Sequence, residues 1–272
     1  MKLPLNINLT DKVAVITGAG GVLCSAFSKA LAQCGAKVAV LDLNEAAAQK
    51  VADEITAEGN KAIAVKVNCL DSASLNEAHD KVVAAFGPCD ILINGAGGNN
   101  PRGTTDDEQF DAAVEGVKTF FDLDPAGVRF VFDLNVIAAL MTTQVFAKDM
   151  IGRGGNIMNV SSMNAFRPLT KIPAYSGAKS AVSNFTQWLA TYLAKSNIRV
   201  NAIAPGWIDT PMFHKAVDND PPRKAKIMGR IPAKSVGDAM DIGMVTAFLC
   251  SDAARYISGT CIPVDGGALI GF

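Results

Sequence analysis

Tyr175 and Lys179 stand four residues apart in the segment Tyr-Ser-Gly-Ala-Lys. On an α-helix, side chains at this spacing share one face and lie about one turn from each other. A nearby ammonium stabilises a phenolate and so lowers the pKa of the phenol from its ordinary value of about 10. Such a tyrosine can act as general acid and base for an alcohol and carbonyl couple. The pair indicates redox chemistry at a hydroxyl-bearing carbon, although a tyrosine packed against a lysine stem shows the same spacing.

A glycine-rich turn, Thr-Gly-Ala-Gly-Gly-Val-Leu-Cys, occupies residues 17–24, between a predicted strand and a predicted helix. Such a turn lets the backbone approach a pyrophosphate, and the amide groups of the following helix then face that anion. A glycine turn without a ligand is the alternative interpretation.

Asp42 stands at the end of the second predicted strand, 24 residues after Gly18. A carboxylate there can accept hydrogen bonds from the ribose diol of an adenosine, although an aspartate at this position can also cap a helix. No Arg or Lys follows at Leu43 or Asn44, and none lies in the glycine turn. A 2′-phosphate would meet a negative charge without a cation to offset it, so the pattern favours NAD over NADP.

Short apolar segments alternate with longer amphipathic ones along the chain. The apolar runs predict seven buried strands, over residues 12–18, 37–43, 61–67, 90–95, 156–160, 198–204 and 260–264. The amphipathic runs predict helices over residues 22–34, 46–57, 72–86, 129–151, 174–195 and 237–249. Strands that are apolar on both faces and alternate with helices indicate a parallel sheet covered on both sides. We therefore predict an α/β Rossmann fold, a doubly wound parallel sheet in a three-layer α/β/α sandwich.

Two long excursions interrupt this alternation, at about residues 98–127 and 210–235. In a doubly wound sheet, long excursions at the carboxyl ends of strands usually build the substrate site. No linker, repeat or break in composition divides the chain, so we expect a single domain over residues 1–272.

The chain has 272 residues, with 25 basic and 26 acidic side chains. This balance argues against a nucleic-acid partner, which would require a basic excess. No apolar run approaches the roughly 18 residues of a membrane span, and the first residues do not form a signal peptide. We therefore expect a cytoplasmic protein without a membrane partner. The six scattered cysteines predict buried free thiols, and the two distant histidines predict no metal site.

Further residues extend the pattern from about Leu9 to Gly267, and together they resemble the short-chain dehydrogenase/reductase family. Tyr175 and Lys179 match the catalytic motif of that family, and Ser162 stands 13 residues before Tyr175, at the position of its catalytic serine. Asn135 matches the asparagine that completes the catalytic tetrad. The resemblance implies that Tyr175 carries the proton while Lys179 lowers its pKa and holds the nicotinamide ribose. It also implies that Ser162 binds the substrate oxygen and that Asn135 anchors a water.

The resemblance also implies NAD as cofactor and a set of positions that bind it. The sequence Asn-Gly-Ala-Gly at residues 94–97 is similar to the N-x-A-G motif of the family, and residues 201–210 match the segment that wraps the nicotinamide and pyrophosphate. The implied positions are Gly18, Gly20, Gly21, Val22, Leu23, Asp42, Asn68, Cys69, Asn94, Ala96, Gly97, Tyr175, Lys179, Pro205, Gly206, Ile208 and Thr210. Val22 and Cys24 replace two glycines of the usual T-G-x-x-x-G-x-G turn, which leaves the shape of the phosphate cradle open. Asn68 replaces a frequent aspartate.

The segments expected near the substrate are polar. We predict substrate contacts from Asn99, Asn100, Arg102, Asn164, Arg167 and Lys171, with His214, Lys215 and Arg223 nearby. Amides suit hydroxyl groups, whereas Arg or Lys suits a carboxylate, for which Arg102, Arg167 and Lys171 are the candidates. The turn and the lengthened loop resemble the D-mannonate oxidoreductase (fructuronate reductase) branch of the family. This implies interconversion of D-mannonate and D-fructuronate with NAD(H).

Three alternatives stay open. The chain could be another polyol or sugar-acid dehydrogenase. It could be a 3-oxoacyl-[acyl-carrier-protein] reductase, which should prefer NADPH. It could also be a non-catalytic NAD sensor, but such proteins usually lose the tyrosine or the lysine. The predicted helices over residues 129–151 and 174–195 carry more apolar surface than one sheet face can bury. Since the family packs these helices between subunits, we expect a homotetramer.

Overall fold

A computed structural model describes residues 7–271 and contains one sheet of seven parallel strands. The strands are β1 (Val13–Thr17), β2 (Lys37–Asp42), β3 (Lys61–Lys66), β4 (Ile91–Asn94), β5 (Gly155–Val160), β6 (Ile198–Pro205) and β7 (Cys261–Val264). Their order across the sheet is β3-β2-β1-β4-β5-β6-β7. The predicted doubly wound α/β fold is confirmed, and each strand lies within one residue of its predicted bounds at both ends.

The helices are α1 (Val22–Gln33), α2 (Glu45–Ala57), α3 (Ser72–Phe86), α4 (Pro125–Phe132), α5 (Ala138–Phe146), α6 (Pro173–Leu193), α7 (Pro211–Val217), α8 (Pro221–Arg230) and α9 (Ala239–Cys250). Their starts follow from local chemistry. Asn44 caps α2 and Asp71 caps α3, each accepting a hydrogen bond from a first-turn amide. By contrast, no side chain caps α1, which begins after Gly21.

The strands are buried on both faces, as their apolar runs predict. Ala14 and Ile16 of β1 pack into a core shared with α1, α2 and α9. Val13 and Val15 point to the opposite side, into a core shared with α3, α5 and α6. This period-two division places the sheet between two helical layers.

The predicted helix over residues 129–151 differs from the observed one. It begins earlier, at Pro125, because Asp124 accepts a hydrogen bond from the Ala126 amide and proline suits the first helical position. A π-helical turn, Asp133–Ile137, then separates α4 from α5. The continuous segment Pro125–Met150 is the one helix within residues 7–271 that is long and apolar enough to cross a membrane. That result rests on length and composition alone. The side chains of Val131, Phe146 and Met150 in this segment are buried within the protein.

The excursion at residues 210–235 is also not a plain loop, because it contains α7 and α8. Thr210 caps α7 and Asp220 caps α8, and each cap is followed by proline. These two cap-and-proline pairs were the available sequence signals. The sheet order reverses between β1 and β4, since β2 and β3 lie on one side of β1 while β4 to β7 lie on the other. The carboxyl ends of β1 and β4 therefore border the crevice in which ligands bind in such sheets.

Candidate active site

A cleft of about 850 Å³ opens at the carboxyl ends of the central strands. Most of the predicted cofactor positions line it: Gly18, Gly21, Val22, Leu23, Asp42, Asn68, Cys69, Ala96, Gly97, Tyr175, Lys179, Pro205, Gly206, Ile208 and Thr210. The fold thus brings residues from distant parts of the sequence to one crevice large enough for a dinucleotide.

The turn between β1 and α1 has the geometry of an anion cradle. Gly18 has a φ of 65°, in the left-handed region that favours glycine. Val22 is the first residue of α1 and does not have a positive φ, so its side chain causes no backbone strain. Because Gly21 provides no side-chain cap, the first amides of α1 are open to a ligand in the cleft. These features fit a pyrophosphate.

Cys24 occupies a glycine position of the usual turn, and Gly95 makes room for it. Cys24 is buried, and a Cβ atom added at Gly95 would overlap both its Sγ atom and the Thr17 carbonyl oxygen. The thiol therefore fills space that a side chain at residue 95 would occupy. Burial raises the pKa of the Cys24 thiol to about 12, so this cysteine acts as a neutral packing group.

This packing makes a testable prediction. Gly95→Ala should destabilise the protein by about 1–3 kcal/mol, because the added methyl group overpacks the site. Adding Cys24→Gly should restore part of this loss, since it removes the thiol but leaves the contact with the Thr17 carbonyl. Chemical denaturation of both single variants and the double variant measures the coupling. Strictly additive losses would contradict the paired packing of Cys24 and Gly95.

Asp42 faces the cleft from the end of β2 in a fixed orientation. Its Oδ2 atom accepts a hydrogen bond from the Gly20 amide at 2.9 Å, and its Oδ1 atom accepts one from the Asn44 amide at 2.8 Å. The alternative role as a helix cap is not observed, since Asn44 caps α2. Lys179 is the single basic residue that lines the described cleft. The carboxylate of Asp42 thus suits a ribose diol and opposes a phosphate at the same place.

Ser162, Tyr175 and Lys179 converge on the other end of the cleft. Tyr175 lies in the first turn of α6, and Ser162 follows β5. The Lys179 Nζ atom donates a hydrogen bond to the Val160 carbonyl oxygen at 2.7 Å and lies 5.6 Å from the centre of the Tyr175 ring. Ser162 accepts a hydrogen bond from the Asn164 amide at 3.2 Å, which orients its hydroxyl group.

Burial shifts the pKa of both members of the tyrosine–lysine pair. It raises the pKa of Tyr175, and the neighbouring Ser162 hydroxyl group opposes that rise. Burial lowers the pKa of Lys179 to about 8, with a smaller opposing effect from Cys24. The lowering of the Tyr175 pKa by Lys179 stays a prediction.

Asn135 clamps the loop that leaves β4. Its Nδ2 atom donates hydrogen bonds to the carbonyl oxygens of Gly98 and Val131, both at 2.7 Å, and its Oδ1 atom accepts from the Gly98 amide at 3.2 Å. A Cβ atom at Gly97 would lie 2.6 Å from that oxygen, so glycine is required there. Asn135 sits within the π-helical turn, a feature often found at functional sites. Its role in anchoring a water stays a prediction.

Two predicted cofactor positions do not line the cleft. Asn94 is buried beneath it, where its amide donates to the Thr143 hydroxyl at 2.9 Å and to the Asn159 side chain at 2.8 Å. Its side chain therefore joins β4 to its neighbours. Gly20 contributes its amide to Asp42, and a Cβ atom at Gly20 would lie 2.7 Å from the Cβ atom of Ala47. Gly20 and Asn94 thus shape the site from outside.

Of the three substrate residues predicted in the first excursion, one lines the cleft and two do not. Asn99 lines the cleft and donates to the Thr104 hydroxyl at 2.9 Å. Asn100 instead caps a short 3₁₀ turn by accepting from the Arg102 amide at 2.9 Å. Arg102 is exposed and forms an ion pair with Asp124. Arg102 lies outside the described lining of the cleft and its charge is paired with Asp124, so this geometry does not favour the predicted contact with the substrate carboxylate, which stays a prediction.

Asn164 lines the cleft, whereas Arg167 and Lys171 line an adjoining cavity together with Arg223. His214 and Lys215 lie on α7 and line neither cavity. The substrate end of the cleft is also less polar than expected. It includes five apolar side chains that the sequence reading missed: Leu134, Met163, Trp207, Met212 and Phe213. Leu134 directly precedes Asn135, and the other four follow Ser162 or Pro205; this proximity to predicted site residues was the only sequence signal.

The described residues contain no group of three His, Cys, Asp or Glu side chains that could hold a metal ion. All six cysteines are free; Cys24, Cys69, Cys89 and Cys250 are buried, while Cys34 and Cys261 are half-buried.

Residues 21–268 match a family model described as enoyl-(acyl carrier protein) reductase. The chain is 50% identical to an uncharacterized oxidoreductase of Haemophilus influenzae, over 98% of this chain and 96% of that one. A solved structure of a "putative D-mannonate oxidoreductase" from the same species, with bound NAD, shares 49% identity and covers 98% of both chains, with a TM-score of 0.95.

More distant relatives act on different alcohols. A 7α-hydroxysteroid dehydrogenase of Escherichia coli is 32% identical, over 97% of this chain and 96% of that one. A 2-dehydro-3-deoxy-D-gluconate 5-dehydrogenase of Dickeya dadantii is 33% identical, over 96% of this chain and 97% of that one. These similarities extend over nearly the whole chain.

Proposed function

This chain belongs to the short-chain dehydrogenase/reductase family, and we propose that it is an NAD-dependent dehydrogenase of a sugar acid. The proposed substrate pair is D-mannonate and D-fructuronate. The observation that carries the proposal is one cleft with two complementary ends. Asp42 and the uncapped start of α1 lie at one end, while Ser162, Tyr175 and Lys179 lie at the other.

Each end has a defined task. The first amides of α1 would hold the pyrophosphate, Asp42 the adenosine ribose, and Lys179 the nicotinamide ribose. When bound, the dinucleotide supplies the site of hydride transfer. Ser162 and Tyr175 hold the substrate oxygen, and Tyr175 removes its proton during oxidation or returns it during reduction. Asn135 and Gly97 keep the loop after β4 close to this pair.

The preference for NAD is supported by the charges around the ribose end of the cleft. Asp42 is held towards the cleft by two backbone amides, and the described lining contains no cation near it. A 2′-phosphate there would lose its water without gaining a counter-charge. The solved relative from Haemophilus influenzae, which contains NAD, agrees with this proposal.

A polar substrate is supported by Asn164, a residue of the cleft lining that is 6% exposed and whose buried Oδ1 atom has no hydrogen-bond partner among the described residues. A buried acceptor without a partner is costly, and a substrate hydroxyl would satisfy it once the amide turns towards the cleft. A hydroxysteroid is the second candidate, because Trp207, Met163 and Met212 give the same region an apolar wall.

A substrate panel tests the proposal. Purified protein is supplied with NAD or NADP together with D-mannonate, D-gluconate, D-mannitol or a 7α-hydroxy bile acid, and the absorbance of reduced nicotinamide is followed. We expect the highest kcat/KM with D-mannonate and NAD. A higher kcat/KM with the bile acid would favour the second candidate, and preference for NADP would overturn the cofactor proposal.

We also propose a homotetramer, because α6 presents an aromatic row outward. The Phe185, Trp188 and Tyr192 rings stack in sequence, and Trp188 and Tyr192 are exposed. Phe130 and Ile137, on the neighbouring helical segment, are exposed as well. Exposed apolar patches of this kind usually mark interfaces. Sedimentation equilibrium should give four times the chain mass of 28.4 kDa, and a particle of a single chain mass would contradict the assembly.

A further inference from the structure

A second cavity, of about 260 Å³, adjoins the substrate end of the cleft. Basic side chains dominate its charge. We call it the basic cavity and define it by its charged lining, which consists of Glu108, Arg167, Lys171, Arg223, Lys226 and Arg230. These residues come from three separate segments, namely the first excursion, the stretch before α6, and α8.

The orientation of α8 explains why three of these cations point the same way. Arg223, Lys226 and Arg230 follow one another at spacings of three and four residues, so they share one face of the helix. Ile227 is buried beside them in a small core with Phe213. Burial of Ile227 fixes the rotation of α8 and holds the basic face against the cavity.

The charges in the basic cavity are not balanced. Glu108 is the one carboxylate among its described lining residues, and it pairs with Lys226 at 2.5 Å. The Lys226 hydrogen bond lowers the pKa of Glu108, and Lys171 and Arg223 add smaller effects in the same direction.

The other four cations form no ion pair within residues 7–271. Lys171 donates to the Asp106 carbonyl at 2.7 Å, and Arg167 lies 3.5 Å from the Gly271 carbonyl. Like charges gathered without a counter-charge repel each other, so their convergence suits an anionic ligand.

The basic cavity lies next to the cleft and shares part of its wall. Met163, Ile172 and Trp207 line both spaces. Ile172 directly precedes α6 and stands three residues before Tyr175. A substrate whose hydroxyl group lies at Tyr175 would meet the cations by extending past these shared residues.

We propose that the basic cavity binds the carboxylate of the substrate and thereby selects hydroxy acids over neutral polyols. Arg223 and Arg230 of α8 are the principal contacts, since their side chains have no hydrogen-bond partner among the described residues, whereas Arg167 and Lys171 each face a backbone carbonyl. This inference rests on the proposed function, because it takes the reacting hydroxyl to lie at Tyr175.

The first test measures binding without turnover. D-Mannonate with NADH is a dead-end combination, and ligand binding raises the melting temperature. We expect D-mannonate to raise Tm in the wild type and in the control Arg255→Gln, an exposed cation outside the cavity. The shift should disappear in the double variant Arg223→Gln/Arg230→Gln. A shift that persists in the double variant, or that is absent in every protein, would overturn the proposal.

The second test separates the substrate carboxylate from a free anion. Inorganic phosphate should compete with D-mannonate in the wild type. A phosphate-induced shift that adds to the full D-mannonate shift would show that both bind together, which would contradict a shared site.

Kinetics then distinguishes the two proposals. For D-mannonate oxidation, Arg223→Gln and Arg230→Gln should each raise KM about 10- to 100-fold, with kcat changed much less. This is the size expected for the loss of one charge-assisted hydrogen bond. The lower kcat/KM for D-mannitol should stay unchanged. If both variants oxidised D-mannonate with an unaltered KM, the proposed carboxylate site would be wrong and the proposed function would stand. If D-mannonate bound in an arginine-dependent way but was not oxidised, the proposed function would be wrong and the carboxylate site would stand.

Discussion

Tyr175→Phe should lower kcat for the sugar acid by about two to four orders of magnitude, the usual contribution of a positioned general acid or base. The substitution removes one oxygen atom and keeps the ring in the first turn of α6. No other described phenol lines the cleft, so nothing replaces the lost proton carrier. The measurement is steady-state reduction of NAD with D-mannonate, together with NAD affinity from the quenching of intrinsic fluorescence.

A matched control is Tyr256→Phe, because Tyr256 is fully exposed and is not part of the cleft lining. This variant should keep wild-type kcat. Tyr175→Phe should bind NAD about as well as the wild type, since the pyrophosphate and ribose contacts lie elsewhere in the cleft. If Tyr175→Phe kept kcat within tenfold of the wild type, the assignment of Tyr175 as proton carrier would be wrong.

Lys179→Met should also lower kcat by two or more orders of magnitude, while making the protein no less stable at neutral pH. The ammonium is buried at the end of the cleft, and its burial lowers its pKa from 10.5 to about 8. The folded state therefore holds a charge in an unfavourable place, and methionine fills a similar volume without that charge. The buried ammonium thus lowers the free energy of unfolding at a position that serves the function.

The stability difference between the wild type and Lys179→Met should depend on pH with a definite sign. Below pH 8, Lys179 is protonated in both the folded and the unfolded state, so the full cost of the buried charge is present. Between about pH 8 and pH 10.5 the unfolded chain binds more protons than the folded one, and wild-type stability rises relative to Lys179→Met. The shift corresponds to about 3 kcal/mol over that range. Urea denaturation of both proteins from pH 7 to pH 10.5 measures the difference, and a difference that did not change with pH would contradict the buried ammonium.

Local patterns were enough to predict most of the fold and to bring Tyr175 and Lys179 together on one helix. A strand of a parallel sheet is apolar on both faces, so β1 and β2 are visible as continuous apolar runs. The spacing of Tyr175 and Lys179 requires only a helix to bring them together. Ser162 and Asn135 depended on the family resemblance, since neither carries a local signal of its own.

Contacts between distant segments could not be predicted in this way. Arg102 has the right chemistry for a carboxylate ligand, but its charge is satisfied by Asp124, and sequence spacing does not reveal that pair. The shape of the phosphate cradle stayed open because the space for Cys24 is provided by Gly95, which follows a different strand, β4. The direction in which Lys179 points depends on the Val160 carbonyl, and that contact exists only in the folded protein.

The basic face of α8 was predicted only in part from the sequence. Asp220 and Pro221 are a good helix start, and Arg223, Lys226 and Arg230 then fall on one face. The prolines and acidic residues of 210–235 predict a loop, in which this periodicity has no meaning. Of the three α8 cations, only Arg223 was therefore expected near the substrate.

The most direct test of the account is to follow the hydrogen on the reacting carbon. D-Mannonate carrying deuterium at the carbon that bears the reacting hydroxyl group is incubated with NAD and the wild-type protein, and the reduced cofactor is examined by proton NMR and mass spectrometry. The account predicts one deuterium at the nicotinamide C4 position for each substrate oxidised, and almost no transfer with Tyr175→Phe. Substrate oxidation that releases the label to water and leaves the nicotinamide unlabelled would contradict it.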